Sequence, residues 1–307
     1  MKQIDAAAAR RALAFKPLIS ALETMLVTGC EVPPRQVHTV GKDLTVLIMP
    51  AWQPGRFLGV KTVNIAPHNA ARGMPGLFAT YTLYDAQTGV PLAAIDGNEI
   101  TARRTAAASA LAASKLARPD ARRLLVVGAG RVSSLLPHAY RAMFPGLQQV
   151  MVWARRPDSA IALAERLMDE GLDAFAVPNL AAAVAEADIV STATLATEPV
   201  IHGAWLAPGS HLDLIGSFAP TMREADEACF TGGASLWVDT EEALAKSGDL
   251  LAPLQSGVIT AADVRGTLAD LCRDGPGRAD AQQRTVFKSV GTALADLAAA
   301  ILVYESN

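Results

Sequence analysis

The chain changes its hydrophobic rhythm about a third of the way along. From Asp5 to Gly29 apolar residues recur at helical spacing, which predicts a helix broken at Pro17, where the ring removes a donor and clashes with the preceding turn. A second helix is expected over Leu18 to Val27, stopped by Gly29. Short apolar runs then predict strands at 37–40, 44–49, 57–65, 77–84 and 90–95, the last two joined as a hairpin through Asp85-Ala-Gln-Thr-Gly89. Thr101 is the expected N-cap of an alanine-rich helix reaching about Ala117, ended by Pro119-Asp120. Beyond it strands alternate with helices. Strands are expected at 124–127, 150–153, around 175, and at 189–191, 211–215 and 235–238; helices at 132–144, 159–169 and 180–185. A last apolar helix runs from Thr292 to Tyr304 and is expected to pack back on the first domain.

Such alternation implies a parallel, doubly wound sheet, whereas the first hundred residues read as an α+β unit around a mostly antiparallel sheet. The expected fold class is therefore α/β: a Rossmann-type domain at 114–292 and an α+β domain at 1–113 completed by 293–307.

One stretch carries recognisable chemistry. Leu124 to Val127 is a short apolar run that leads directly into Gly128-Ala129-Gly130, and Arg131-Val132-Ser133 reads as the start of a helix. Strand, glycine turn and helix is the context a dinucleotide phosphate requires. Gly128 allows the tight turn, Gly130 admits backbone N–H groups to a pyrophosphate, and a helix N-terminus favours the anion. Ser133 replaces the third glycine of the usual pattern and is small enough for close helix–strand packing.

The next strand, 149–154, ends in Arg155-Arg156, with no carboxylate at the place that would take an adenosine ribose hydroxyl. Two guanidiniums suit a 2′-phosphate, so NADP is preferred over NAD; the alternative is a solvated surface pair. No second region could enclose FAD.

Composition narrows the classes further. The chain has 307 residues, 51% of them hydrophobic and 19% charged, and a formal net charge of −3, a globular balance that gives no reason to expect nucleic acid. No apolar run reaches the ~18 residues needed to span a bilayer, so no membrane role is expected. Met1-Lys-Gln-Ile-Asp5 does not read as a signal peptide, and Cys30, Cys229 and Cys272 are few and scattered. A cytoplasmic location with reduced thiols and no metal is expected.

In order along the chain stand Gly59-Val-Lys61, Thr80 to Ile95 with Asp-x-x-Thr-Gly-x-Pro-Leu-Ala, Thr101-Ala-Arg-Arg-Thr-Ala-Ala-Ala-Ser109, Val126-Val-Gly-Ala-Gly130 and Thr285-Val-Phe-Lys-Ser-Val-Gly291. Together they resemble the ornithine cyclodeaminase/mu-crystallin family over nearly the whole length. The resemblance implies a homodimer through a first domain that also takes a small amino- or imino-acid substrate, and a second domain that binds a nicotinamide.

It also implies roles. Arg35 matches the arginine that holds the substrate carboxylate, Lys61 the active-site lysine, and Arg104 an arginine near substrate and cofactor. Lys288-Ser289 matches a late loop over the nicotinamide. Thr192 and Ser217 complete the expected cofactor set with Gly128, Ala129, Gly130, Arg131, Val132, Arg155 and Arg156. The chemistry agrees, since an arginine fork fixes a carboxylate bidentately and a lysine can protonate an imine nitrogen. The alternatives are a solvent-facing Lys61 on an alternating strand and a surface Arg104 near a helix N-terminus.

One departure narrows the activity. Where cyclodeaminases and the related alanine dehydrogenases carry Gly-x-Asp, this chain reads Gly216-Ser-Phe218, and phenylalanine cannot exchange protons. The form resembles the branch that reduces Δ1-pyrroline-2-carboxylate and Δ1-piperideine-2-carboxylate to proline and pipecolate. Ornithine cyclodeamination, another amino-acid dehydrogenase, and a non-catalytic mu-crystallin-like NADPH- and ligand-binding protein remain as alternatives. Asp213 and His68 are weaker candidates for a role.

Overall fold

A computed structural model describes residues 1–307, the side chains of Pro67 and Ala70 excepted. The chain divides into two compact units, Met1–Arg104 with Thr292–Asn307, and Thr105–Gly291. The expected boundary at 113/114 and the observed one both fall inside a single helix.

The first unit is built on a six-stranded sheet of order β1-β6-β5-β4-β3-β2, comprising β1 (Lys2–Ile4), β2 (Gln36–Val40), β3 (Leu44–Gln53), β4 (Phe57–Ile65), β5 (Leu77–Asp85) and β6 (Pro91–Asp96). All its pairings are antiparallel except β1 with β6. The short strand β1 carries too few residues to show a period and was missed by pattern.

Helices α1 (Ala6–Ala12) and α2 (Phe15–Thr28) are separated at Leu13-Ala14, not at Pro17. Proline sits in the first turn of α2, where a helix has no need of the missing donor. Helix α3 (Gly97–Leu116) likewise starts earlier than expected. Asp96 Oδ1 accepts the Glu99 N–H at 2.7 Å and is the cap, which leaves Thr101 inside the helix.

In the second unit eight parallel strands run in the order β13-β12-β14-β11-β10-β7-β8-β9. These are β7 (Arg123–Val127), β8 (Gln149–Trp153), β9 (Ala174–Ala176), β10 (Ile189–Thr192), β11 (His211–Leu214), β12 (Ser235–Val238), β13 (Val264–Thr267) and β14 (Thr285–Lys288). Helices α4 (Leu136–Met143), α5 (Pro157–Asp169), α6 (Leu180–Glu186), α7 (Ala243–Lys246), α8 (Gly248–Gln255) and α9 (Leu268–Arg273) connect them. Strand order reverses between β7 and β10, which is the place where a doubly wound sheet opens a crevice for a nucleotide. Leu125, Val127, Val190, Leu212, Leu214, Leu236 and Val286 are buried at the heart of its core.

The last helix, α10 (Ala293–Glu305), is apolar on nearly every side and capped by Thr292. Such a helix is stable only when covered. It returns to the first unit and packs on α2, β3 and β4.

Candidate active site

Strand parity places the lysine. In β4 the residues Gly59, Lys61 and Val63 share the buried face. Lys61 is 1% exposed, which rules out the solvent-facing alternative. It stands in register with Met49 on β3 and Tyr81 on β5.

The same unit brings a carboxylate to it. Asp296, on α10 and fully buried, places Oδ2 2.6 Å from Lys61 Nζ. Its other oxygen accepts a hydrogen bond from Arg104 Nε at 2.8 Å. Arg104, on α3, is 7% exposed and is therefore not a surface residue. One carboxylate thus divides its two oxygens between two cations.

The electrostatics follow from burial. Desolvation lowers the Lys61 ammonium to about 8; Asp296 pulls it up, while Arg104 and Arg35 push it down. Arg35 is partly buried, and its charge reaches Lys61, so the three residues matched by the resemblance share one electrostatic neighbourhood. Against desolvation, which would raise it, Lys61 and Arg104 hold the Asp296 carboxyl below the ordinary carboxylate range. Two cations and one anion leave a net positive group suited to an anionic ligand, with a lysine that can give up a proton near neutral pH. Tyr81 adds a fully buried phenol raised by desolvation and by Asp296. Asp296 and Tyr81 escaped the sequence reading. Asp296 lies in an apolar helix, and that polar residue in a covered segment was the available signal.

In the second unit the turn after β7 is as expected at the glycines. Gly128 has φ +118°, and a Cβ there would lie 2.6 Å from the Ala193 carbonyl oxygen and 2.9 Å from Ser133 Oγ. Nothing lies within 4 Å of a Cβ built on Gly130, so its backbone is bare. Ser133 is buried, as close packing requires.

A bent, uncovered main chain at the point where strand order reverses fits a dinucleotide phosphate. The helix does not start at Arg131, however. Residues 131–135, including Val132, form turns, and α4 begins at Leu136. Pro137 cannot donate, and in a continuous helix its ring would strike the Ser133 carbonyl.

Four expected cofactor residues have other partners. Thr192 Oγ1 donates to Glu224 Oε2 at 2.8 Å. Ser217 Oγ donates to the Met222 carbonyl at 2.5 Å and accepts from the Asp249 N–H. Lys288 ends the interior strand β14 and is no loop residue; it is fully buried with Nζ 3.3 Å from Asp249 Oδ2. Ser289 follows it and donates its N–H to the Leu214 carbonyl.

The hub of this region is Glu224. Its carboxylate accepts from Thr192 Oγ1, from Thr194 N–H and Oγ1, and from Gly216 N–H, tying the ends of β10 and β11 together. It was not expected from sequence.

Arg155 and Arg156 follow β8 and are exposed. Phe218 is 44% exposed. Asp213 is fully buried and accepts from Ser109, Tyr140 and Ser191 hydroxyls, a core network. His68 is exposed, 3.5 Å from Asp43. Among the described residues no group of three or more His, Cys, Asp or Glu could hold a metal ion, and no helix is long and apolar enough to cross a membrane.

A sheet of this order with a bent glycine turn at its reversal defines a dinucleotide-binding protein of the doubly wound class. The sequence model of the ornithine cyclodeaminase/mu-crystallin family matches residues 6–307, and the chain belongs to that family. It is 47% identical over 255 residues to the Delta(1)-pyrroline-2-carboxylate reductase of Paracoccus denitrificans, covering 82% of this chain and 80% of that one. Among solved structures it is similar to the Thermococcus litoralis Delta(1)-pyrroline-2-carboxylate reductase in complex with NADH and L-proline. The TM-score is 0.94 at 31% identity, over 100% of this chain and 97% of that one. An archaeal alanine dehydrogenase dimer with bound NAD has a TM-score of 0.93 at 27% identity, over 100% and 95%.

Proposed function

We propose that the protein is an NAD(P)H-dependent reductase of small cyclic imino acids, turning Δ1-pyrroline-2-carboxylate or Δ1-piperideine-2-carboxylate into proline or pipecolate. The observation that carries this reading is the buried Lys61 held 2.6 Å from Asp296 in a net positive group with Arg104 and Arg35. The names of the similar reductases support it.

The residues divide the work. Arg35 fixes the substrate carboxylate, and Lys61 gives a proton to the imine nitrogen as the ring carbon is reduced. A bound nicotinamide supplies the hydride. The bare turn at Gly128, Ala129 and Gly130 holds its pyrophosphate, with N–H groups from 131–133 alongside. Arg155 and Arg156 take a 2′-phosphate, which makes NADP the preferred form. Phe218 offers no group that could activate water, so ornithine cyclodeamination is disfavoured. The similarity to a dimeric alanine dehydrogenase supports a homodimer through the first unit. A reduced cytoplasmic setting agrees with three free cysteines.

The test is a substrate panel: both cyclic imino acids, pyruvate with ammonia, and ornithine, each with NADPH and with NADH. Oxidation of either cofactor by the cyclic imino acids is expected. Turnover on ornithine or pyruvate alone would overturn the reading.

A further inference from the structure

We propose that Asp296 is a positioning residue of the imine reduction: it touches no substrate, and it keeps Lys61 protonated and aimed by dividing its carboxylate between the Lys61 ammonium and the Arg104 guanidinium. The inference rests on the reductase reading above.

Burial alone would strip the proton from Lys61, because a cation moved out of water favours its neutral form. The neighbours make this worse. Arg104 from α3 and Arg35, before β2, both push the Lys61 ammonium further down by like-charge repulsion. Tyr81 from β5 is neutral, its phenol held well above its ordinary range by desolvation and by Asp296; Cys30 is neutral too, its thiol pushed up to about 11 by desolvation. Asp296 is the carboxylate that pairs with both buried cations, at 2.6 Å from Lys61 Nζ and 2.8 Å from Arg104 Nε. An amide there would leave two buried cations side by side with no anion, the arrangement that costs most.

The geometry also explains why an otherwise apolar helix carries a buried aspartate. Helix α10 covers the sheet at β3 and β4. A carboxylate on its inner side delivers one oxygen to the strand lysine and the other to the arginine on α3.

The experiment compares wild type, Asp296→Asn, Asp296→Glu and Lys61→Ala. Fold is monitored by Tm and cofactor binding by NADPH fluorescence, which Asp296 should not affect. In wild type, kcat/KM for the imino acid is expected to fall as pH rises through about 8. In Asp296→Asn that limb should move to lower pH by at least about one unit, so activity at about pH 9 and above falls at least about tenfold while the loss shrinks on acidification. Asp296→Glu should restore part of the shift. An equal loss at every pH would mean a merely structural role and overturn the proposal.

A second readout needs no turnover. With ¹⁵N-lysine, the Nζ signal that is absent from Lys61→Ala is titrated in wild type and in both Asp296 variants. A midpoint lower in Asp296→Asn than in wild type supports the proposal, and an unchanged one refutes it. If Asp296→Asn does not fold, Asp296→Glu decides: its longer arm should displace the midpoint, and identity with wild type refutes. Should wild type reduce no imino acid, the reductase reading fails while this titration still judges the role of Asp296.

Discussion

The Tyr81 hydroxyl occupies the space where a side chain on Gly59 would stand, 1.9 Å from the position a Cβ would take. The two residues lie on neighbouring strands of one sheet, and Gly59 is two residues before Lys61 on the same face. Bare backbone at 59 is what lets the phenol lie beside the lysine. Gly59→Ala should push the ring aside at a cost of roughly 1–3 kcal/mol for the overpacked site. It should also lower kcat/KM on the imino acid, while NADPH affinity stays unchanged. Calorimetry with steady-state kinetics checks both.

Removal of the ammonium is the direct test of the chemistry. Lys61→Ala should lower kcat at least about a hundredfold, the usual scale of a lost general acid. NADPH should still bind with wild-type affinity, which fluorescence titration reads. Unchanged turnover would refute the role of Lys61.

Gly128→Ala should abolish cofactor binding. The residue sits at φ +118°, and its methyl group would strike the Ala193 carbonyl, which belongs to the chain following β10. Backbone strain of this kind costs roughly 1–3 kcal/mol before any clash is counted. Loss of NADPH fluorescence enhancement, together with a lower Tm, is the expected result.

Cofactor choice can be read at the end of β8. Replacing Arg155 and Arg156 together by Ala should raise KM for NADPH at least about tenfold, as the loss of charge-assisted bonds to a phosphate implies. KM for NADH should hardly move. Equal effects on both cofactors would show the pair to be ordinary surface charge.

Asp213 gives a signed pH effect on stability. Desolvation lifts its carboxyl from 3.8 to about 6, against hydrogen bonds from Ser191, Tyr140 and Ser109. Between those values the folded protein holds more protons than the unfolded chain, so this contribution is full below 3.8 and is lost as pH rises through 6. The loss is roughly 3 kcal/mol. His211, lowered to about 3 chiefly by desolvation, runs the other way, gaining stability as pH rises toward 6.5. The comparison is therefore wild type against Asp213→Asn by urea unfolding at pH 4 and 7. The stability of wild type relative to the variant should fall between the two.

Much of this was legible in the order of residues. The strand over 57–65, the strand at 235–238 and the glycine bend after β7 follow from short-range pattern, because a two-residue period, an apolar run and a missing side chain are local properties. Lys61 could be named but its surroundings could not. Alternation along β4 permits either face outward, and only the cover supplied by α10 decides which face is dry. Local pattern likewise failed at α4, where Pro137 acts backward on a turn that otherwise reads as helix.

What the sequence by itself determined is the class of fold, the glycine turn after β7 and the family, since all three rest on residues close together in the chain or on motifs in fixed order. The tertiary structure alone decided the partners of the charged groups: Asp296 for Lys61 and Arg104, Asp249 for Lys288, Glu224 for the ends of β10 and β11. The reason is physical. A buried charge is stable only beside an opposite charge or a donor, and which segment supplies that partner depends on how distant elements pack.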